Sequence, residues 1–212
     1  DGHEDEQGFA HDAQDALLSL HTGWFAGPVL RWLYFGSGLL GSGLVATGLI
    51  LWTVKRRPKT ARGVSPSFGH QLVERLNVGT IAGLPAGFAV YFWANRLVPV
   101  GWPDRDRWEI HMLFLTWAVL LLYPAFRPIL HAWREELALT GILFGLVPVL
   151  NFLTTQRHLG MTLPAGDWEL AGFDLTILGL GALFAWASWR VGRQLAAPEP
   201  AVPALHNKGR AA

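Results

Sequence analysis

The sequence predicts an all-α fold, a polytopic membrane helix bundle with about five transmembrane helices. Three observations predict it. Five apolar segments follow one another, each about as long as a bilayer-spanning helix. Hydrophobic residues make up 51% of the 212 residues, and mean hydropathy is +0.27 even though polar ends dilute it. Lys and Arg gather on one side of the predicted spans.

The first span, 32–54, carries no charge from Trp32 to Val54 and is followed at once by Lys55, Arg56, Arg57 and Lys59. A helix of that length reaches about 35 Å at 1.5 Å per residue, enough to cross a bilayer core. Gly38, Ser42 and Ala46 lie four apart on one face of it. Such a stripe suits close helix packing, or leaves room for a flat macrocycle. The second span, 77–98, is preceded by "SPSFGHQLVERL", which reads as a helix start with Ser65 as N-cap and Pro66 at N1. That helix starts at the membrane surface and continues into the span. The third, fourth and fifth spans are 108–126, 137–154 and 168–189. Lipid offers backbone groups no partners, so helices are the form expected at these lengths. Pro85, Pro124 and Pro148 sit inside or at the ends of spans, where each removes a backbone donor and predicts a kink.

Orientation follows from charge. With the N-terminus outside, ten Lys and Arg of the loops and span ends lie inside against five outside, namely Arg31, Arg96, Arg105, Arg107 and Arg157. The N-terminus is thus predicted outside and the C-terminus inside. Residues 1–28 form an acidic outer segment with six acidic residues and no Lys or Arg. Residues 29–193 form the bundle, and 194–212 a Pro- and Ala-rich tail expected to be disordered on the inner side. The opening "DGHEDEQGF" has no Met and no signal peptide, and reads as the continuation of a longer or processed chain. Nine of the tryptophans fall near predicted span ends, as an aromatic belt does.

Composition excludes several classes. Cys is absent, which rules out disulfides, thiolate metal sites and cysteine nucleophiles. A net charge of +1 gives no reason to expect nucleic acid as a partner. There is no GxGxxG after a strand, no P-loop, no HExxH and no GxSxG, so any hard chemistry falls to a cofactor.

Polar residues at membrane depth call for a reason. Asn95, Arg96, Glu109 and Asp174 fall near the predicted outer surface and are expected either to pair among themselves or to serve a site. His21, His111 and His158 fall at one level there, and His70 and His131 at the inner surface. For each, the alternatives are an ordinary interfacial histidine and a ligand. Two layers of His at opposite faces suggest two bis-imidazole haem b sites, since imidazole binds iron through a neutral nitrogen. The outer haem iron is assigned to His21 and His111, with His158 as the substitute. The inner site is assigned to His70 with His131. Three outer His also form a familiar zinc set.

"LHTGWF", "RWLYFGSGLLGSGLVATGLILWTVKRR", "LVERLNVGTIAGLPAGFAVYFWANRLVP", "WEIHMLF" and "GDWELAGFDLTILGLGAL" together resemble the PepSY-associated transmembrane family over roughly residues 15–193, in order. The resemblance implies a bacterial inner-membrane protein, often iron-regulated, with haem-containing reductases of ferric siderophores among the members. Members usually place a further transmembrane helix and a periplasmic PepSY region ahead of this part. The acidic start is then the end of the periplasmic region. An early His on that preceding helix competes with His131 as partner of His70. Two functions follow. One is a haem-bearing reductase that takes electrons from a cytoplasmic-side donor and reduces a ferric siderophore in the periplasm. The other is a non-redox anchor or regulatory module for a PepSY region. Membrane lipid is the surrounding solvent in both.

Overall fold

The computed structural model describes residues 14–19, 27–56 and 67–197. The chain divides into two compact units, residues 1–57 and 58–212. Among the described residues both contain helices and no strand, and five helical stretches are long and apolar enough to cross a membrane: Val29–Arg56, Phe68–Leu97, Arg105–Ala125, Ile129–Thr154 and Trp168–Leu195. The predicted fold class is therefore the observed one.

The first unit contains a short helical stretch at 14–19 and the long helix α1, Pro28–Arg56. Pro28 opens α1 at a position where its missing N–H costs nothing. Lys55 and Arg56 close it, where cations meet the negative end of the helix dipole. The Arg56 guanidinium also lies over the Trp52 ring, 4.5 Å from its centroid. Three hydroxyls within α1, those of Ser37, Thr47 and Thr53, are satisfied by its own backbone. Ser37 Oγ donates to Tyr34 O at 2.8 Å, and Thr47 Oγ1 to Gly43 O at 2.8 Å. Hydroxyl groups used in this way leave no unpaired donor for lipid to accommodate.

The second unit is a bundle built on four spans. The first joins α2 (Phe68–Val78), a π-helical segment (Gly79–Gly83) and α3 (Leu84–Leu97) into one rod. Then come α4 (Arg105–Leu122), a 3₁₀ turn (Tyr123–Ala125) and α5 (Ile129–Thr154). The short α6 (Leu159–Ala165) precedes α7 (Trp168–Leu195). Contacts fix the directions. Gly79 meets Leu121 and Gly87 meets Leu113, so the first rod and α4 are antiparallel. Asn151 bonds Asp174, and Ser188 Oγ donates to Arg134 O at 2.8 Å, so α5 and α7 are antiparallel.

Two glycine contacts set the spacing. Gly79, Gly83 and Gly87 lie four apart and face α4. A Cβ at Gly79 would come 2.6 Å from Leu121 Cα, and one at Gly87 2.9 Å from Leu113 O. Between α5 and α7, a Cβ at Gly181 would come 2.8 Å from Gly145 N, and one at Gly141 2.8 Å from Ala185 N. Lipid tails give helices no hydrophobic reason to associate, so backbone proximity and dispersion hold them. Around these contacts Ala89, Phe144, Val147 and Ile177 are buried. Phe92 meets Phe173 edge to face at 5.3 Å, and Trp93 Nε1 donates to Leu143 O at 3.0 Å. Large apolar side chains such as Phe114, Leu115, Phe152 and Leu153 are more than half exposed, a surface that suits lipid rather than water.

The structure departs from the expected boundaries in several places; α1 starts at Pro28 rather than 32, and α7 runs to Leu195 rather than 189. The N-cap of α2 is Ser67, not Ser65; Ser67 Oγ accepts from His70 N at 3.4 Å, and the helix starts at Phe68. Next, α5 starts at Ile129, eight residues before the expected 137. Its early turns carry Arg134, Glu135 and Glu136, which read as a loop by hydropathy. Each has a setting in the folded chain. Arg134 lies against Gly192 of α7, Glu135 accepts from the Tyr123 hydroxyl and from Arg127, and Glu136 is buried. Finally, the prolines differ in effect. Pro85 follows the π segment, whose wider turn takes up the loss of its N–H. Pro124 sits in the 3₁₀ turn that ends α4, and its carbonyl accepts from Arg75. Pro148 is buried inside α5, which continues to Thr154.

The glycine contacts make a direct prediction. Gly181→Leu forces side-chain atoms into the α5 backbone and should cost about 1–3 kcal/mol as overpacking. Gly179→Leu, where a Cβ meets nothing within 4 Å, should cost little. Apparent melting temperatures of the two variants in detergent check this; equal values would show that α5 and α7 are not in backbone contact.

Candidate functional site

The last turns of α3 and the first turns of α4 and α7 are rich in polar residues. Inside a membrane span each must find a partner. They find one another. Asp174, 2% exposed on α7, accepts from Asn151 Nδ2 at 2.7 Å. Arg96 Nε donates to Asn151 Oδ1 at 2.7 Å, and Arg96 Nη1 donates to Asn95 Oδ1. Asn95 Nδ2 lies 3.2 Å from both oxygens of Glu109, and Arg105 Nε is 2.9 Å from Glu109 Oε1. Arg105 Nη2 also donates to the Asn95 carbonyl. The result is a polar strap across α7, α5, α3 and α4, with two guanidinium groups and two carboxylates in balance. Asn95, Arg96 and Glu109 pair among themselves, as one of the two expectations had it, whereas Asp174 pairs with Asn151 instead. Asn151, the joint of the strap, was not singled out from the sequence.

The strap orients one of the candidate ligands. Glu109 points inward, and His111, two residues on, lies on the opposite face of α4 and is exposed. Its ring meets Trp108 edge on at 6.3 Å and makes no hydrogen bond among the described residues. His158 sits half-buried at the N-cap of α6, where its carbonyl accepts from Met161 N at 2.8 Å. Its ring edge meets Phe152 at 4.8 Å, and Nδ1 is buried without a hydrogen-bond partner among the described residues. His21 lies outside the described residues. At the other end of the bundle, His70 is buried with Nε2 3.4 Å from Glu74 Oε1. His131 is exposed on the first turn of α5. Among the described residues no three His, Asp or Glu come together as a metal set.

One further polar group escaped the sequence reading. Glu136 of α5 is 1% exposed, and neither carboxyl oxygen has a hydrogen-bond partner among the described residues. The signal was present. Glu136, Thr140, Phe144, Val147 and Asn151 repeat at helical spacing and all are buried.

Comparison with known proteins agrees with the resemblance at the N-terminal region. Residues 2–55 match the family model of the PepSY-associated TM region. An uncharacterized protein of Pseudomonas aeruginosa is 29% identical over 194 residues, which cover 89% of this chain and 44% of that protein. The chain thus spans under half the length of that curated relative. No solved structure matches.

The strap predicts a non-additive pair. Asn151→Leu strands Asp174 and Arg96 Nε, at about 1–3 kcal/mol for each buried group left unpaired. Adding Asp174→Leu removes one of the stranded groups. The double variant should therefore melt higher than Asn151→Leu alone; a simple sum of the two single losses would show that the two residues are not coupled.

Proposed function

We propose that this chain is the membrane part of a haem-bearing electron-transfer protein of the bacterial inner membrane, one that reduces ferric siderophores on the periplasmic side during iron uptake. The observation that carries the proposal is the setting of His111. It stands on the outside of a rigid helix turn, next to an inward Glu109 fixed by the strap, with its imidazole uncommitted to any hydrogen bond among the described residues. That imidazole would suit a haem-iron ligand, which must be neutral, oriented and accessible. His21 is its proposed partner. His158 is the less suited substitute, because its ring is half covered.

For a second, inner haem the proposed donor is His70, with His131 or a histidine outside this chain as the other ligand. Glu74, 3.4 Å from His70 Nε2, would orient that ring as carboxylates orient ligating imidazoles. Arg75 is tied to the Pro124 carbonyl, which fixes a positive charge near that end of the span. Haem, when bound, supplies one-electron transfer at a potential set by its axial ligands and surroundings.

The protein's own part is position. The Lys and Arg bias supports a periplasmic side for the 98–104 and 155–167 loops and a cytoplasmic side for the 123–128 turn. Electrons then enter from a donor at the cytoplasmic end and leave at the strap end. A ferric chelate loses affinity for its iron once that iron becomes ferrous, so reduction at this surface releases the metal. No protein acid or base is required, in keeping with the missing catalytic motifs.

Two measurements test the reading. The purified protein should show a Soret band and reduced α-bands, and His111→Ala should lose about one haem per chain. Full haem content and an unchanged reduced spectrum in that variant would remove His111 from the site. In liposomes holding the prereduced protein, a membrane-impermeant ferric siderophore should be reduced quickly only when added on the side of the 98–104 loop. Equal rates from both sides, or none, would leave the anchor for a PepSY region as the better reading.

A further inference from the structure

Glu136 lies toward the opposite end of the second unit from the strap, and nothing in the proposed electron path uses it. A Cβ on Gly83 would come 3.2 Å from its Oε2 and 2.8 Å from Leu120 Cβ, so the carboxyl is packed between the π segment and α4. Its neighbours are committed elsewhere. The Thr140 hydroxyl lies 2.9 Å from Ala82 O and 2.8 Å from the Glu136 backbone carbonyl, and donates to backbone rather than to the carboxyl. On α5, Arg134 lies against Gly192 and Glu135 is held by Tyr123 and Arg127. On α2, Arg75 is tied to Pro124 O. On α7, Ser188 donates to Arg134 O. Among the described residues no cation pairs with this acid.

A carboxylate in such a place is heavily penalised unless something neutralises it. A metal ion needs several oxygen ligands, and among the described residues no three His, Asp or Glu gather to supply them. A proton needs only one oxygen. A second observation says from which side water would reach the acid. His70, Glu74 and Asn77 recur at i, i+4 and i+7, a single face of α2. That face points inward, with His70 9% and Asn77 5% exposed, and His70 Nε2 lies 3.4 Å from Glu74 Oε1. The stripe starts in the first turn of α2 and stops just short of the π segment, whose Gly83 faces the acid. π segments inside spans often mark functional positions.

We propose that Glu136 is a proton-exchange site: it carries a proton inside the membrane-spanning bundle and trades it with water that reaches it past the polar side chain of Asn77. In each exchange the carboxyl O–H breaks as its proton passes to a water molecule, and a proton from water restores the acid. Nothing is oxidised or reduced. The site stands whether or not the haem reading does.

Infrared difference spectroscopy of the protein in lipid tests it. The wild type should show the carbonyl band of a protonated carboxyl, absent in Glu136→Gln and retained in Glu135→Gln. In D₂O that band should shift within minutes, well before the protected amides of the spans exchange, and Asn77→Leu should slow the shift at least tenfold. If Glu136→Gln fails to fold, Glu136→Asp serves instead, because it moves the band without removing it. A band unchanged by either Glu136 variant, or one that does not shift in D₂O, overturns the site. An unchanged rate in Asn77→Leu overturns the route.

Discussion

Inside a bilayer no water stands ready to pair a stray donor or acceptor, and the bundle is arranged around that constraint. Its fullest expression is the bond from Asn151 to Asp174 and Arg96. One amide accepts from a guanidinium and donates to a carboxylate, and so carries the link from α3 through α5 to α7. Two opposite charges that are not in contact in the strap are joined by a neutral group with both hydrogen-bonding capacities. Remove that group and both charges lose a partner at once. The register of these three helices at this depth therefore rests on one side chain.

The glycine contacts act in the same direction by a different means. At Gly141 and Gly181 the backbones of α5 and α7 approach until a Cβ has no room, and at Gly79 and Gly87 the first rod does the same with α4. Such contacts tolerate little sliding, because a shift of one residue would put a side chain where none fits. The strap and the glycines thus specify one register jointly, one through pairing and the other through shape. The π segment follows from this. Pro85 cannot donate to the helix, and widening the turn ahead of it absorbs the defect while Gly79, Gly83 and Gly87 stay against α4.

The five spans and their all-helical form were legible because length and hydropathy act locally. So was the pairing among Asn95, Arg96 and Glu109, since polar groups at one depth have few alternatives, though not that Asp174 pairs with Asn151. The starts of α2 and α5 were not. Hydropathy averages over all faces of a helix, whereas "HAWREEL" sends Arg134, Glu135 and Glu136 to three different environments. Which of them turns inward depends on the rotation of α5, and that is set by Gly141 meeting Ala185 and Thr140 meeting Ala82. The helical repeat through Glu136, Thr140 and Asn151 carried the answer, but only to a reading that follows one face rather than the whole segment. Of the histidines, the sequence supplied depth but not exposure. His111 and His131 turn out exposed, His70 buried and His158 between them.

The two ends of the α5 face treat charge in opposite ways. At Asn151 every polar group is paired and positive and negative charges balance, so the strap has no reason to change state. At Glu136, fifteen residues earlier on the same face, a single acid is enclosed with no partner for either oxygen among the described residues. Stability alone would favour an apolar residue of similar volume there, because burying an unpaired acid gains nothing that packing does not. An enclosed acid beside a wide helical turn has one property an apolar side chain lacks, which is that it can bind and lose a proton. The balanced end is suited to hold a fixed geometry, as an exposed ligand such as His111 requires. The unbalanced end is suited to change its charge. Joined by one rigid helix, they divide the bundle into a part that positions and a part that can respond.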